Sequence, residues 1–261
     1  MAYLFTHEDK AERERLAAIE ATANPLTIEC LEKIGVGEGW HCLEVGAGAG
    51  SIAEWLSRRV GSSGKAVATD LQTKFLETIE APNLEVRKHD ITADDLEPEV
   101  FDLVSSRKVL EHLAEPAAAL RRMTAAVRPG GWLLVEDSDL ASFQRVSFPH
   151  RQRFERAYEK FLEALSSAGF QPKLGVRLGD ELRAAGLQNV TFKGITGEWT
   201  AAGDHPVGKV YRMTIGRMRE RMAKAGLLTD EEIDQFLSDI QSSDFHAITG
   251  IHCAAWGRKP T

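Results

Sequence analysis

Four residues raise the question of chemistry: Glu44, Gly46, Gly48 and Gly50, spaced Glu-x-Gly-x-Gly-x-Gly. They follow a short apolar run, Cys42 to Val45, and precede an amphipathic helical pattern with Ile52, Trp55, Leu56 and Val60 at helical spacing. Glycine has no Cβ, so such a turn can take positive φ and a ligand can lie directly against its backbone. A second apolar run, Ala66 to Ala68, ends at Asp70, and a third, Leu84 to Arg87, is followed by His89, Asp90 and Ile91. Two acceptor-only carboxylates thus fall at the tips of successive strands, in phase with the glycine turn. The pattern predicts the first half of a nucleotide-binding α/β sheet, with its ligand at the carboxyl end of the first strand. A dinucleotide fits poorly: its pyrophosphate needs a glycine three positions after Gly48, and that residue is Ser51.

The elements that must carry these residues can be read from composition and periodicity. A chain of 261 residues, 43% hydrophobic, can bury a full core as one large domain. A formal net charge of -7 argues against a nucleic-acid surface, which needs clustered Lys and Arg. Tyr3 to Leu16 is too charged for a signal peptide, and no apolar run reaches membrane-spanning length, so a cytoplasmic protein is expected. Cys30, Cys42 and Cys253 lack paired or metal-ligand spacing and read as reduced core residues.

Asp9 to Glu20 and Leu26 to Ile34 read as two helices separated at Pro25. Thr73 to Ile79 reads as helical. A fourth strand is expected at Phe101 to Val104 and a helix through Leu110 to Leu113. Pro116 then opens a helix over Ala117 to Val127, before a fifth strand, Trp132 to Glu136. Leu140 to Phe170 carries a long charged helical pattern containing Phe143, Phe148, Phe154, Tyr158 and Phe161. A helix leads to a strand at Val190 to Lys193. Val207 to Ala225 and Thr229 to Ser242 predict two more helices, the second opened by a capping box of Thr229 and Glu232. Ile248 to Trp256 would be the last strand.

The Glu44 to Gly50 pattern resembles the first signature of the class I S-adenosylmethionine-dependent methyltransferases. The Leu110-Glu111-His112-Leu113 segment and Arg128-Pro129-Gly130-Gly131 before the fifth strand resemble the small-molecule branch of that family, as do Tyr3-Leu4 and the closing Ala-Trp-Gly-Arg-Lys-Pro. The likeness implies a Rossmann-like seven-stranded sheet, order 3-2-1-4-5-7-6, with the last strand antiparallel at the sheet edge. It implies one methyltransferase domain over 1-261, with an N-terminal helical lid (1-36), a cofactor-binding core (37-138) and helical cap elements (139-185 and 200-243). The cofactor would be S-adenosyl-L-methionine. Asp70 would accept from both ribose hydroxyls and Asp90 from the adenine amino group, with Leu71 and Ile91 over the ring faces. Glu44, Gly46, Gly48, Gly50, Ser106 and Arg107 would face its methionine end, and Tyr3, with Phe5, would sit against the sulfonium.

The implied reaction is methyl transfer to O, N or C of a small-molecule acceptor by direct displacement, and the family likeness points to natural-product chemistry. The protein would mainly align the partners and exclude water. His112 is the first candidate for a general base, with His150 and Tyr158 in the cap and Glu136 as further candidates. A metal-dependent mechanism is not expected, since Ser105-Ser106-Arg107 offers no carboxylate; Asp137 and Asp139 are the only acidic pair to consider. No metal, nucleic acid or membrane partner is expected, while a homodimer is possible. Two other functions fit the same motifs: a non-methylating relative acting as cyclase or regulator, and a nicotinamide-dependent dehydrogenase.

Overall fold

The computed structural model describes residues 10–143, 145–200 and 205–261. Its centre is a seven-stranded sheet in the order β3-β2-β1-β4-β5-β10-β7. The strands are β1 (His41–Val45), β2 (Lys65–Asp70), β3 (Leu84–Lys88), β4 (Phe101–Arg107), β5 (Val127–Asp139), β7 (Gln188–Ile195) and β10 (Ile251–Arg258). In core-strand numbering this is the expected 3-2-1-4-5-7-6. β10 runs antiparallel to both its neighbours, β5 and β7. It therefore lies one strand in from the edge, which corrects the expectation of an edge position.

Burial explains the sequence pattern of the strands. β1 and β2 are covered on both faces and read as nearly unbroken apolar runs. Leu43, Val45, Val104 and Leu133 point to one face, where they meet Leu120 and Met123 of α3 (Pro116–Ala126) and Leu182 of α5 (Leu178–Ala184). Cys42, Leu103 and Leu134 point to the other, against Leu26, Cys30 and Leu31 of α1 (Lys10–Ile34) and Leu56 of α2 (Ser51–Val60). All three cysteines are buried and free. Among the described residues no helix is long and apolar enough to cross a membrane.

Several local expectations change. The N-terminal segment is one helix with Pro25 inside it. Proline removes one backbone hydrogen bond and crowds the preceding turn, but Ala23, Leu26, Cys30 and Leu31 are all at most 2% exposed, so burial on both sides of the proline outweighs that loss. Thr73 to Ile79 forms only a 3-10 turn, Leu76–Thr78, because a segment this short has little helical stability of its own. Leu110–His112 is likewise a 3-10 turn; Glu115 precedes Pro116 and is held out of the helical region, so no helix can run through.

The long pattern after Leu140 is broken for the same reason at Phe148-Pro149, and α4 spans Arg151–Ser167. Before it lies a short strand, β6 (Arg145–Ser147), which pairs with β9 (His246–Ile248) and, through it, β8 (Glu198–Thr200). This three-stranded sheet was not foreseen. With α4, α6 (Pro206–Lys224) and α7 (Asp230–Asp239) it encloses a separate apolar core built from Phe154, Phe161, Trp199, Phe236 and Phe245. The Thr229 and Glu232 capping box is present at the start of α7. α5 packs on the main sheet against β7 and β10, so the 139-185 stretch is only partly cap.

Candidate active site

The carboxyl ends of β1, β2, β4 and β5 open into a cavity of about 370 Å³, roofed by α1 and α6. The glycine turn lies at its floor. Gly46, Gly48 and Gly50 take φ of 71°, 59° and 90°, and the N–H groups of Gly46 and Ala47 donate to the Thr69 carbonyl at 2.8 and 2.9 Å. The reasons for the three glycines differ. A Cβ on Gly46 would collide with Val109 Cγ2, and one on Gly50 with Ile79 Cδ1 and Leu76 Cδ2, whereas one on Gly48 would meet only Leu16 Cδ2 at 3.7 Å. The outer two are thus required by the protein's own packing. Gly50 does not reach the cavity wall, which corrects its expected place beside a ligand. Gly46→Ala combines left-handed backbone strain with a core clash and is expected to cost about 2 kcal/mol; urea unfolding beside Gly48→Ala, which meets only the strain, measures the difference.

Asp70 and Asp90 stand at the cavity edge, together with Leu71 and the buried Ile91. Asp70 Oδ2 accepts from Gly48 N at 2.9 Å and Oδ1 from Gln72 N at 3.0 Å, tying the tip of β2 to the glycine turn. Asp90 Oδ1 accepts from the backbone and hydroxyl of Thr92 at 2.8 and 2.6 Å, and the hydroxyl bond holds its carboxyl below the usual range. Both carboxylates are therefore oriented by backbone before any ligand arrives.

Glu44 is 3% exposed. Burial pushes its carboxyl up to about 8 against the pull of Arg107, and its Oε2 has no hydrogen-bond partner among the described residues. The unfolded chain ionises near 4.5 while the folded one keeps the proton until about 8. Stability is therefore lost progressively as pH rises through that window and is constant above it. Glu44→Gln is expected to raise the melting temperature of the ligand-free protein at pH 8 and to leave it nearly unchanged at pH 4.5; equal shifts at both would contradict a neutral carboxyl.

Arg107 lines the cavity but its Nη1 donates to Asn24 Oδ1 and Thr27 Oγ1 of α1, at 2.8 and 2.9 Å. Ser106 is buried behind the wall, its Oγ without a partner among the described residues. Tyr3 and Phe5 lie outside the described residues. His112 faces the cavity, edge-on to Phe170 at 5.0 Å, and burial lowers its imidazole to about 4. It is neutral at pH 7.

The other catalytic candidates are not brought to the cavity. His150 is exposed ahead of α4, against Phe148. Tyr158 is buried in the cap core, where its hydroxyl donates to the Leu140 carbonyl at 2.9 Å and lies 3.3 Å from the Tyr211 hydroxyl. Burial raises its phenol well above the usual range. Helical spacing had put both in the cap but could not tell its rim from its interior. Among the described residues, Tyr211 is the aromatic hydroxyl that lines the cavity. Glu136 lies 1% exposed within β5, accepting from Thr27 Oγ1 at 3.1 Å, with His252 Nε2 3.2 Å away.

Residues that the sequence reading passed over complete the wall. Arg15 of α1, 5% exposed, shares Glu12 with Arg217 of α6. Lys108 and Glu111 follow β4, and Ser138 is the penultimate residue of β5. Nothing in the sequence relates these positions to one another, and only the crossing of α1, β4 and β5 unites them.

Comparison with known proteins bears on this geometry. A family described as methyltransferase domain matches residues 43–135. An uncharacterized 37.1 kDa protein in a transposon of Streptomyces fradiae is 26% identical over 92% of this chain and 68% of its own length. The ubiquinone biosynthesis O-methyltransferase of Hydrogenovibrio crunogenus is 32% identical over 42% of this chain, which spans about half of that relative, 47%. Among solved structures, a phosphoethanolamine N-methyltransferase 2 of Haemonchus contortus, in complex with phosphomonomethylethanolamine and S-adenosylhomocysteine, superposes with a TM-score of 0.55 at 16% identity, over 95% of this chain and 53% of that one.

Proposed function

We propose that the chain is a class I S-adenosylmethionine-dependent methyltransferase, as the methyltransferase-domain match over residues 43–135 and the sheet order support, and that it transfers the methyl group of that cofactor to a small-molecule acceptor of secondary metabolism. In this reading Asp70 takes the ribose hydroxyls, Asp90 and Ile91 the adenine, and the Gly46 to Ala49 turn passes the methionine part. The acceptor occupies the other end of the cavity, between the methyl group and Phe161, Leu165 and Tyr211 of the cap. The observation that supports it is one cavity lined both by the nucleoside-type carboxylates Asp70 and Asp90 and by the cap residues Phe161, Leu165 and Tyr211.

The cofactor's positive sulfur already activates the methyl group. What these residues add is alignment and exclusion of water, the larger part of the rate for a displacement of this kind. Roofing by α1 and α6 serves both. His112, neutral and facing the chamber, can accept a proton from the acceptor, but a group that titrates near 4 is a weak base.

The direct test is incubation with methyl-labelled cofactor and a panel of hydroxylated and amino acceptors; label on no acceptor, with the cofactor bound, would favour a non-methylating role. His112→Ala is expected to slow turnover about 100-fold and change the affinity for S-adenosylhomocysteine less than threefold. A loss mainly in that affinity would make His112 a cofactor contact instead.

A further inference from the structure

Directly after β4 the chain turns through Lys108 with φ of 57°, a conformation that long L side chains rarely take and that tends to be kept where a side chain must be aimed. Its N–H is anchored on the Glu136 carbonyl at 2.7 Å. Its ammonium, on the cavity wall, donates to Ser138 Oγ, which also lines the cavity. Among the described residues no carboxylate comes within ion-pair distance of it.

The acids nearby are engaged elsewhere. Glu111 Oε2 accepts from Ser138 N at 2.7 Å, and Asp137 Oδ1 accepts from Glu111 N at 3.2 Å. Burial and Glu111 together hold the Asp137 carboxyl well above the usual range. His112 and His252 face Lys108 as neutral rings. Arg15 faces His112, and Arg107 with Glu136 faces His252. A part-buried ammonium whose partner among the described residues is a hydroxyl alone is poorly compensated for its lost hydration, and an anionic oxygen from a ligand would supply the compensation.

We propose that Lys108 and Ser138 form an oxyanion site for the methyl acceptor, which is therefore a hydroxyl compound of phenolic or enolic type bound as its oxyanion. This rests on the methyltransferase reading and narrows its acceptor atom to oxygen. The acceptor O–H bond breaks and its proton leaves to water or to the His112 imidazole. The oxygen then forms a bond to the methyl carbon as the carbon–sulfur bond breaks, and that electron pair stays on sulfur. Oxyanion and sulfonium give a neutral methyl ether and neutral S-adenosylhomocysteine. Lys108 keeps its proton throughout. It supplies what a base as weak as His112 cannot, by making the acceptor itself the stronger acid, with a lowered pKa. An amine acceptor fits badly, since it would meet Lys108, Arg15 and Arg107 as a cation before it could react.

The probe is 4-nitrophenol, whose phenolate band reports its own ionisation, titrated with the full-length protein saturated with S-adenosylhomocysteine. Calorimetry first establishes that saturation. The bound probe should ionise at least one pK unit lower than the free one, a tenfold shift. Lys108→Met should abolish the shift and weaken probe binding at least tenfold, with the affinity for S-adenosylhomocysteine kept within twofold, which also shows that the variant folds. Lys108→Arg should restore most of the shift, and Ser138→Ala should remove part of it. If the nucleoside fails to bind the wild-type protein, the methyltransferase reading falls and this proposal with it. If the nucleoside binds but the probe does not, or ionises no more readily than when free, or keeps its shift in Lys108→Met, or is outcompeted by 4-nitrobenzylamine, the oxyanion site is overturned and the methyltransferase reading stands.

Discussion

Asp70→Ala is expected to weaken binding of S-adenosylhomocysteine at least 100-fold. A carboxylate that accepts from two ribose hydroxyls makes charge-assisted bonds of roughly 1.5–3 kcal/mol each, and about 1.4 kcal/mol is a factor of ten. The same carboxylate also accepts from Gly48 N and Gln72 N, so the alanine variant loosens the glycine turn as well. Asp70→Asn separates the two effects: its carbonyl oxygen can still accept from Gly48 N but carries no charge. Binding in Asp70→Asn should remain about tenfold or more below wild type, with the melting temperature only partly restored, since one amide oxygen can replace only one of the two acceptors. Wild-type affinity in Asp70→Asn would mean that the residue only shapes the turn, and wild-type affinity in Asp70→Ala would remove Asp70 from the site.

The largest loss of stability is expected from Glu12→Ala. This carboxylate is fully buried and accepts from Arg15 Nε and Nη2 at 3.0 and 2.8 Å, and its Oε2 lies 2.7 Å from Arg217 Nη1. It joins α1 to α6, the two helices that roof the cavity, and an exposed Lys209–Glu14 pair at 3.3 Å adds little beside it. Removing one member of a buried ionic group leaves the remaining charge in a poor solvent, at a cost of about 3 kcal/mol. Arg217 is 24% exposed and can turn to water, whereas Arg15 cannot. The denaturation midpoint should therefore fall with little change in slope, and Glu12→Gln should fall less. An unchanged midpoint would show that the roof does not depend on this pairing.

The parts of the cavity wall that could be read from the sequence are those set by local spacing. Glu44, Gly46, Gly48, Asp70 and Asp90 are fixed relative to one another by strand, turn and helix lengths, so the sequence order carried their geometry, while Gly50, equally regular in spacing, is held by packing against Ile79 and Leu76 instead. What could not be read depended on contacts between distant segments. Pro25 looked like a break because the burial that carries α1 through it comes from α2 and the sheet. Tyr158 and His150 looked alike on a helical pattern, yet one is sealed in the cap core and the other faces water. Lys108, Arg15 and Ser138 carried no signal, since a lone basic or hydroxyl residue resembles any solvated one until β4, β5 and α1 converge. The small sheet of β6, β8 and β9 was invisible because strands of three residues leave no periodicity to count.

A crystal structure with S-adenosylhomocysteine tests the central claim most directly. The ribose hydroxyls should lie within hydrogen-bond distance of the Asp70 carboxylate, the adenine between Leu71 and Ile91 with its amino group toward Asp90, and the methionine chain over Gly46 to Gly48. A nucleoside bound away from the ends of β1, β2 and β3, or none bound under saturating conditions, would contradict it.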